Sequence, residues 1–187
     1  MRQVKVPNKK RLKVNGTEAC EARSQIEFDQ PVLRAIVNYG QEEAGIDMLY
    51  YQVGGENSTY SFGIDVDRNS CRIVLVELRL YGNKILPWPS SNIDAEVLDD
   101  CPLVNTGPWS KGPIIDVDEI FKIQTDGKQL RVELYGAKVA CKYRLGSHVM
   151  LDVDNVGYVC GVIFQNIDKF IITYLINRYG HYTRNSR

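Results

Sequence analysis

The residues with the most suggestive chemistry lie between residues 87 and 113, where prolines, two tryptophans and a run of acids occur together. Trp88 and Trp109 flank the acids, which are Asp94, Glu96, Asp99 and Asp100. A large aromatic side chain with charges around it is typical of a protein contact surface, in which the ring fills a pocket and the charges form the rim. The sequence therefore predicts that these six residues bind another protein. The alternative is that both tryptophans fold back and cover one end of the core.

Cysteine and histidine residues give little support for nucleophilic catalysis. The sequence has five cysteines, Cys20, Cys71, Cys101, Cys141 and Cys160, and no Cys-x-x-Cys motif. Their wide spacing and odd number argue against a zinc site or a disulfide framework, so the sequence predicts five reduced, buried thiols. His148 could meet Cys141 or Cys160 on an adjacent strand, but no nearby positive cluster would activate either thiol.

The acidic residues form no recognisable metal or hydrolase motif. Asp-Val-Asp occurs three times, at 65–67, 116–118 and 152–154. A calcium-binding loop also needs a glycine at its sixth position and a distal glutamate, and none of the three segments has both. With 23 acids in the chain, a catalytic carboxylate pair is conceivable, but no pair stands out. Phosphate-binding glycine loops and the Gly-x-Ser-x-Gly motif are absent, so the sequence predicts no cofactor and no metal.

Charged residues are distributed unevenly along a chain whose formal net charge is zero. Residues 1–13 contain six basic residues and residues 178–187 contain three arginines, and neither segment contains an acid. The segment between them therefore holds the other 14 basic residues and all 23 acids, a net charge of −9. An acidic body suits a cationic protein partner better than a nucleic acid, whose phosphates require clustered lysine and arginine. Ordinary solubilising charge is the alternative explanation.

Alternating apolar and polar residues predict a mainly β fold with a little helix (a β-rich α+β class). We expect one domain over residues 1–187, with an antiparallel sheet folded as a sandwich or an open barrel. The clearest hairpin lies at 59–81, where two alternating runs are separated by a short polar turn. Residues 1–13 and 178–187 are predicted to form a flexible basic arm and a flexible basic tail, with an edge strand as the alternative for the N-terminal segment. Further strands are predicted at 46–53, 114–123, 130–135, 139–145, 149–153 and 158–164.

One helix is predicted near the N-terminus, over residues 31–39. Pro31 suits the first turn of a helix, and Asp29 is a plausible N-cap. The apolar residues from Val32 to Val37 have near-helical spacing, and Gly40 is the kind of residue that follows a helix end.

Two further segments depart from the strand pattern. Five prolines between residues 87 and 113 exclude a central strand and predict a loop of more than 20 residues, with a short helical turn at Asp94 to Leu98. Residues 167–179 fit either a helix or a strand, and their β-branched residues favour a strand followed by the tail.

The sequence gives an expectation for cellular location as well. The basic N-terminus is not followed by an apolar segment of the kind found in signal peptides. The most apolar stretch, Phe170 to Ile176, is far shorter than the ~20 residues of a membrane helix. A cytoplasmic location is therefore expected. In that location the two Asn-x-Ser/Thr sequences, at 15–17 and 57–59, would have no role.

These observations favour a non-enzymatic protein-binding module. The more specific hypothesis is a bacterial immunity-type inhibitor that neutralises a cationic toxin enzyme, with the tryptophans as anchors and the acids as mimics of a nuclease's phosphate ligand. One alternative is a small-ligand-binding β-barrel or a carboxylate-based hydrolase, with His148 or an Asp-Val-Asp acid at its mouth. A weaker alternative is nucleic-acid binding by the basic termini, which would have to meet in space. The sequence is also compatible with a homo-oligomer.

Overall fold

A computed structural model describes residues 11–40, 47–54, 60–80, 84–88 and 95–180. Residues 1–10, Asp94 and residues 181–187, on which parts of the predicted arm, site and tail fall, lie outside the described residues. The described strands are β1 (Val14–Glu18), β2 (Arg23–Asp29), β3 (Val32–Asn38), β4 (Met48–Val53), β5 (Tyr60–Asp67), β6 (Ile73–Leu80), β7 (Ile85–Pro87), β8 (Glu96–Leu98), β9 (Cys101–Val104), β10 (Ile114–Val117), β11 (Lys122–Thr125), β12 (Leu130–Glu133), β13 (Val139–Arg144), β14 (Val149–Asp154) and β15 (Val159–Phe164). A short 3-10 helix spans Gly107–Lys111, and helix α1 spans Lys169–Tyr179. Among these residues, no helix is both long enough and apolar enough to span a membrane.

The strands form two large sheets and one small one. A six-stranded sheet has the order β10-β4-β5-β6-β3-β2, and a seven-stranded sheet has the order β7-β11-β12-β15-β14-β13-β8. Strands β1 and β9 make a separate antiparallel pair. Most pairings are antiparallel, whereas β7, β8 and β10 each join an edge in parallel. The predicted mainly β, antiparallel fold is therefore confirmed.

The two large sheets face each other across one continuous core. In the six-stranded sheet, the inward residues of β5 are Phe62, Ile64 and Val66, and all three are fully buried. The seven-stranded sheet contributes inward residues such as Val132 and Leu151, which belong to the same apolar cluster. This arrangement is a sandwich. Strands β5 and β6 pair antiparallel within it, which confirms the hairpin predicted from the alternation of apolar and polar residues at 59–81.

The predicted helix at 31–39 is wrong, because these residues form strand β3. It pairs with β2 on one side and β6 on the other. Leu33, Ala35 and Val37 alternate into the core, and they are all buried. A short apolar run fits both a helical stripe and a strand with two covered faces, so neighbouring strands decide between them. Pro31 lies in the turn between β2 and β3 instead of starting a helix.

The predicted long loop at 87–113 is also wrong. The described part of this stretch contains the end of β7, all of β8 and β9, and the 3-10 helix. The helical turn expected at Asp94 to Leu98 is replaced by strand β8 at Glu96–Leu98. Prolines are tolerated because β7 and β9 lie at sheet edges, where a missing ladder donor costs little, and because Pro108 starts the 3-10 helix.

The segment at 167–179, for which a strand was favoured, forms helix α1. Asp168 caps it, since its Oδ1 accepts a hydrogen bond from the backbone N–H of Phe170 at 2.7 Å. Ile172 and Leu175 are buried and three residues apart, so one helical face covers apolar surface of the sandwich. The ring of Tyr174 meets Phe28 of β2 with centroids 5.7 Å apart. Burial of this face outweighs the intrinsic strand preference of its β-branched residues.

Candidate functional site

Strand β8 forms one edge of the seven-stranded sheet; it carries Glu96, and Asp99 and Asp100 follow its end directly. It pairs in parallel with β13, and no strand among the described residues covers its other side. Glu96, Asp99 and Asp100 are all exposed, and Val97 between them is 40% exposed. We name these four residues the acidic edge. Open strand edges present unpaired backbone donors and acceptors, so this edge combines hydrogen-bonding capacity, negative charge and a small apolar contact.

One of the acids is already engaged by a neighbouring strand. The Nε of Arg144, on β13, donates a hydrogen bond to Oδ1 of Asp99 at 2.8 Å. Both side chains are largely exposed, at 48% for Arg144 and 80% for Asp99, so this ion pair adds little to stability and can exchange partners. The other two carboxylates leave the acidic edge negative overall.

On the core side of this edge, Cys141 and Tyr143 of β13 are partly buried. Burial raises the pKa of the Cys141 thiol, and the carboxylate of Glu96 raises it further. Burial likewise raises the pKa of Tyr143, with a smaller contribution from Asp100. Burial, with a smaller contribution from the acids, thus favours the neutral form of both side chains and disfavours thiolate chemistry at this edge.

Trp88 lies at the opposite edge of the same sheet. It follows β7, and its backbone N–H donates to the carbonyl of Thr125 on β11 at 2.6 Å. Five strands stand between β7 and β8, a separation of roughly 29 Å at ~4.8 Å per strand step. The indole is half-buried, and the guanidinium of Arg131 lies 5.8 Å from its ring centroid. Trp88 and the acids therefore do not form one contact surface.

Trp109 lies in the core and not on the surface. It is 3% exposed, and its ring meets Tyr51 edge-on with centroids 6.5 Å apart. Its Nε1 donates to the carbonyl of Tyr50 at 3.1 Å, which satisfies the polar end of the indole. This corrects the expectation of an exposed anchor at Trp109, and agrees with the alternative that this tryptophan folds back onto the core.

A buried polar cluster on the outer face of the seven-stranded sheet was not predicted. Arg131 Nε donates to Oδ2 of Asp152 at 2.9 Å, and Arg131 Nη1 donates to Gln124 and Glu133, at 3.3 Å in each case. Gly161 makes room for the carboxylate, because a Cβ there would lie 3.0 Å from Asp152 Oδ2. A period-of-two pattern places Arg131 and Asp152 on the solvent side, so no signal in the sequence indicates their burial.

The centre of this polar cluster, the Arg131–Asp152 pair, is closed to solvent, whereas Gln124 and Glu133 are partly exposed. Arg131 is 5% exposed and Asp152 is not exposed at all. Burial raises the pKa of Asp152, and the nearby guanidinium of Arg131 opposes that shift. A carboxylate that acts on a substrate must be reachable, and Asp152 is not. The arrangement therefore favours a structural role, in which one guanidinium ties β12 to β14 across β15.

Cys20 and Cys101 form a disulfide, with Cα atoms 5.8 Å apart. This corrects the prediction of five reduced thiols. The two residues are 81 positions apart in sequence, so no local spacing pattern could indicate the bond. Cys101 directly follows Asp100, so the disulfide also anchors the end of the acidic edge. Cys71 and Cys141 are free and partly exposed, and Cys160 is free and buried.

His148 connects the two sheets and does not pair with a cysteine. Its Nδ1 lies 2.6 Å from the backbone carbonyl of Ser24 on β2, so Nδ1 acts as the donor. The backbone N–H of His148 donates to Ser24 Oγ at 2.8 Å. Gly146 permits this close approach, because its φ is +76° and a Cβ there would lie 2.5 Å from the nitrogen of Ser24. Among the described residues, no hydrogen bond joins His148 to Cys141 or Cys160.

The described residues also bear on two further hypotheses, a metal site and a nucleic-acid site formed by the basic arm and tail. They contain no cluster of three metal-binding side chains. The last residues of the predicted arm are docked on the body, since Leu12 is 2% exposed and the guanidinium of Arg11 lies 4.3 Å from the ring centroid of Tyr135. Arg178, from the predicted tail, belongs to helix α1.

No protein-family model matches the chain, and a search of curated proteins finds no match.

Proposed function

We propose that the chain is a non-enzymatic protein-binding module that uses the acidic edge to hold a basic segment of a partner. One observation carries the proposal: the uncovered edge strand β8 carries the exposed residues Glu96 and Val97, and the exposed acids Asp99 and Asp100 follow it directly. A partner in extended conformation can add to such an edge through main-chain hydrogen bonds, while basic side chains meet the acids.

Long-range charge supports the same kind of partner. The segment between the basic ends carries −9, so a cationic protein is attracted before contact is made. Rigid contact groups lose less entropy on binding than flexible ones. The Cys20–Cys101 disulfide restrains the end of the acidic edge, and therefore favours binding by a preformed surface. The exposed Arg144–Asp99 pair can exchange, so Asp99 stays available to a basic partner.

The narrower form of the proposal is an immunity-type inhibitor whose acids imitate the phosphates of a cationic toxin's substrate. Glu96, Asp99 and Asp100 suit that role, because they present three carboxylates along one edge. Trp88 and Trp109 no longer contribute to it. A cytoplasmic setting fits this form less well than the sequence suggested, because disulfides persist chiefly in oxidising compartments.

The test is affinity capture from the native source with three immobilised forms of the full chain. The first is the wild type and the second is Asp99→Lys with Asp100→Lys. The third, Glu27→Lys with Asp29→Lys, is the matched control. It makes the same change in net charge at exposed positions of β2, the edge of the other large sheet.

The expected result is a stoichiometric basic protein that the wild type and the control retain and the Asp99/Asp100 variant loses. The complex should also dissociate as salt is raised, because exposed charge pairs are screened. Equal retention by the wild type and the Asp99/Asp100 variant would refute the proposed edge. Recovery of nucleic acid without protein would instead support binding by the basic termini.

A further inference from the structure

An N-glycosylation sequence lies on the surface next to the disulfide. Asn15, Gly16 and Thr17 form the sequence Asn-Gly-Thr within β1, and all three residues are exposed. N-linked glycans are added to Asn-x-Ser/Thr, where x is not proline, and they are bulky, so the folded chain must leave the asparagine side chain uncovered. The position of Asn15 meets that requirement.

The backbone around Asn15 supports an outward side chain. Strand β1 pairs only with β9, and the register of this pairing shifts between Val14 and Gly16. Asn15 consequently has no partner on β9 and occupies the position of a bulge, which re-aims a side chain. Just before it, the N–H of Val14 donates to the carbonyl of Gly157 at 2.8 Å. The site is therefore held on the body and projects from it.

The second observation is independent and concerns the redox state. Cys20 lies five residues after Asn15 and is bonded to Cys101 of β9. Disulfides form and persist in oxidising environments, including the compartment in which N-glycans are added, and are rare in the cytosol. An exposed acceptor sequence in the small sheet and a disulfide that joins β9 to the segment after β1 therefore point to one setting.

We infer that Asn15 is an N-glycosylation site of a chain that folds in an oxidising secretory compartment. The side-chain amide nitrogen of Asn15 forms a bond to the anomeric carbon of an oligosaccharide carried on a lipid pyrophosphate donor. The lipid pyrophosphate leaves and the amide loses one proton, so the transfer is balanced without a redox step. The inference does not depend on protein binding at the acidic edge, but it excludes the narrower form of that proposal, an immunity-type inhibitor in a bacterial cytosol.

The test uses the protein isolated from its own source, with free thiols alkylated before lysis. Peptides covering residue 15 are digested with a glycosidase that converts glycosylated asparagine to aspartate, in ¹⁸O-labelled water. The expected result is an ¹⁸O-labelled Asp at position 15 in the glycosidase-treated digest and not in an untreated digest in the same water, together with a disulfide-linked pair of peptides containing Cys20 and Cys101. An unmodified Asn15, or alkylated Cys20 and Cys101, would overturn the inference.

Matched variants of the full chain, expressed behind a cleavable secretion leader in glycosylating cells, assign the modification. Asn15→Gln and Thr17→Ala should each remove one glycan from the intact mass, whereas Thr17→Ser should retain it. The second sequence, Asn57-Ser58-Thr59, lies outside the described residues, and Asn57→Gln separates its contribution. If the wild type carries no glycan at residue 15, whether it is secreted or retained inside the cell, the inference is wrong.

Discussion

At the scale of single residues, Asp65 has an environment that opposes its charge. It lies on β5, on the outer face of the six-stranded sheet and close to Glu77, which accepts hydrogen bonds from Arg34 and Arg79 at 2.5 Å each. Partial burial and the charge of Glu77 raise the pKa of Asp65 to about 6, and Arg79 opposes the shift. At a pH between 3.8 and about 6, the folded chain therefore holds a proton at Asp65 that the unfolded chain has already released.

This shift predicts how stability depends on pH. Because the folded pKa lies above the ordinary value of 3.8, the free energy of unfolding should fall as pH rises from about 4 through about 6. Asp65→Asn should flatten that part of the profile and make the chain more stable than the wild type at pH 7. Urea unfolding at intervals between pH 4 and pH 7 measures both effects. Identical slopes in the two proteins would contradict the assignment.

The three free thiols should differ in reactivity. Cys160 is 1% exposed, and burial, with the nearby charges of Asp152 and Asp154, raises its pKa to about 12. Thiolates and not thiols react with alkylating agents, so Cys160 should stay unmodified at pH 8. Mass spectrometry after brief alkylation of the native protein should find the label first at Cys71, more slowly at Cys141, whose pKa is raised by burial, and not at Cys160. Rapid labelling of Cys160, Cys20 or Cys101 would contradict the described arrangement.

At the scale of elements, the disulfide links β9 to the segment that follows β1. It closes a loop across 81 positions of sequence, and constraining the unfolded chain over such a length stabilises the folded state by about 2–4 kcal/mol. Cys20→Ala with Cys101→Ala should lower the free energy of unfolding by that amount in denaturant titrations. Cys71→Ala, a change at a free thiol, is the control and should cost much less. Equal losses would show that the disulfide does not form.

Removing one partner of the Arg131–Asp152 ion pair should destabilise the fold strongly, whereas replacing both partners by apolar residues should destabilise it much less. Arg131→Met leaves the unexposed Asp152 carboxylate without its cation, which should cost about 3–5 kcal/mol. Arg131→Met combined with Asp152→Val removes both charges and should recover most of that loss. Unfolding titrations of both single variants and the double variant measure the coupling. A double variant as unstable as the sum of the single ones would contradict a paired role.

Sequence patterns suffice to predict a strand where apolar and polar residues alternate over its whole length. The hairpin at 59–81 was predictable because Phe62, Ile64 and Val66 alternate without ambiguity. Strand β3 was not, since the apolar run of Val32 to Val37 fits a strand or a helix until neighbouring strands are known. Proline density around Pro102 concealed β8 and β9, because short edge strands need few ladder bonds. Helix α1 depended on tertiary burial of Ile172 and Leu175.

The predicted site was recoverable only in part for a similar reason. Exposed acids such as Asp99 and Asp100 could be anticipated from polarity alone. The separation of Trp88 from these acids depends on strand order in the seven-stranded sheet, which joins residues far apart in sequence. The burial of Trp109 depends on a hydrogen bond to Tyr50, 59 residues away. Neither feature leaves a local signal.

At the scale of the whole molecule, the edges of the two large sheets at β2 and at β8 differ in what covers them. Helix α1 packs against β2 through Tyr174 and Phe28, so part of that edge is covered. The edge at β8 is uncovered among the described residues and is negatively charged. Charges on an open edge also prevent aggregation by strand pairing, and a role in binding must therefore be separated from that protective role.

The most direct measurement is the Kd of the captured basic partner for the wild type, the Asp99→Lys/Asp100→Lys variant and the Glu27→Lys/Asp29→Lys control, at low and high salt. A binding role predicts that the first variant weakens binding at least tenfold, about 1.4 kcal/mol, chiefly at low salt. The control should stay close to the wild type, and all three proteins should keep the same Tm. An unchanged Kd for the first variant, or equal weakening by the control, would contradict binding at the acidic edge.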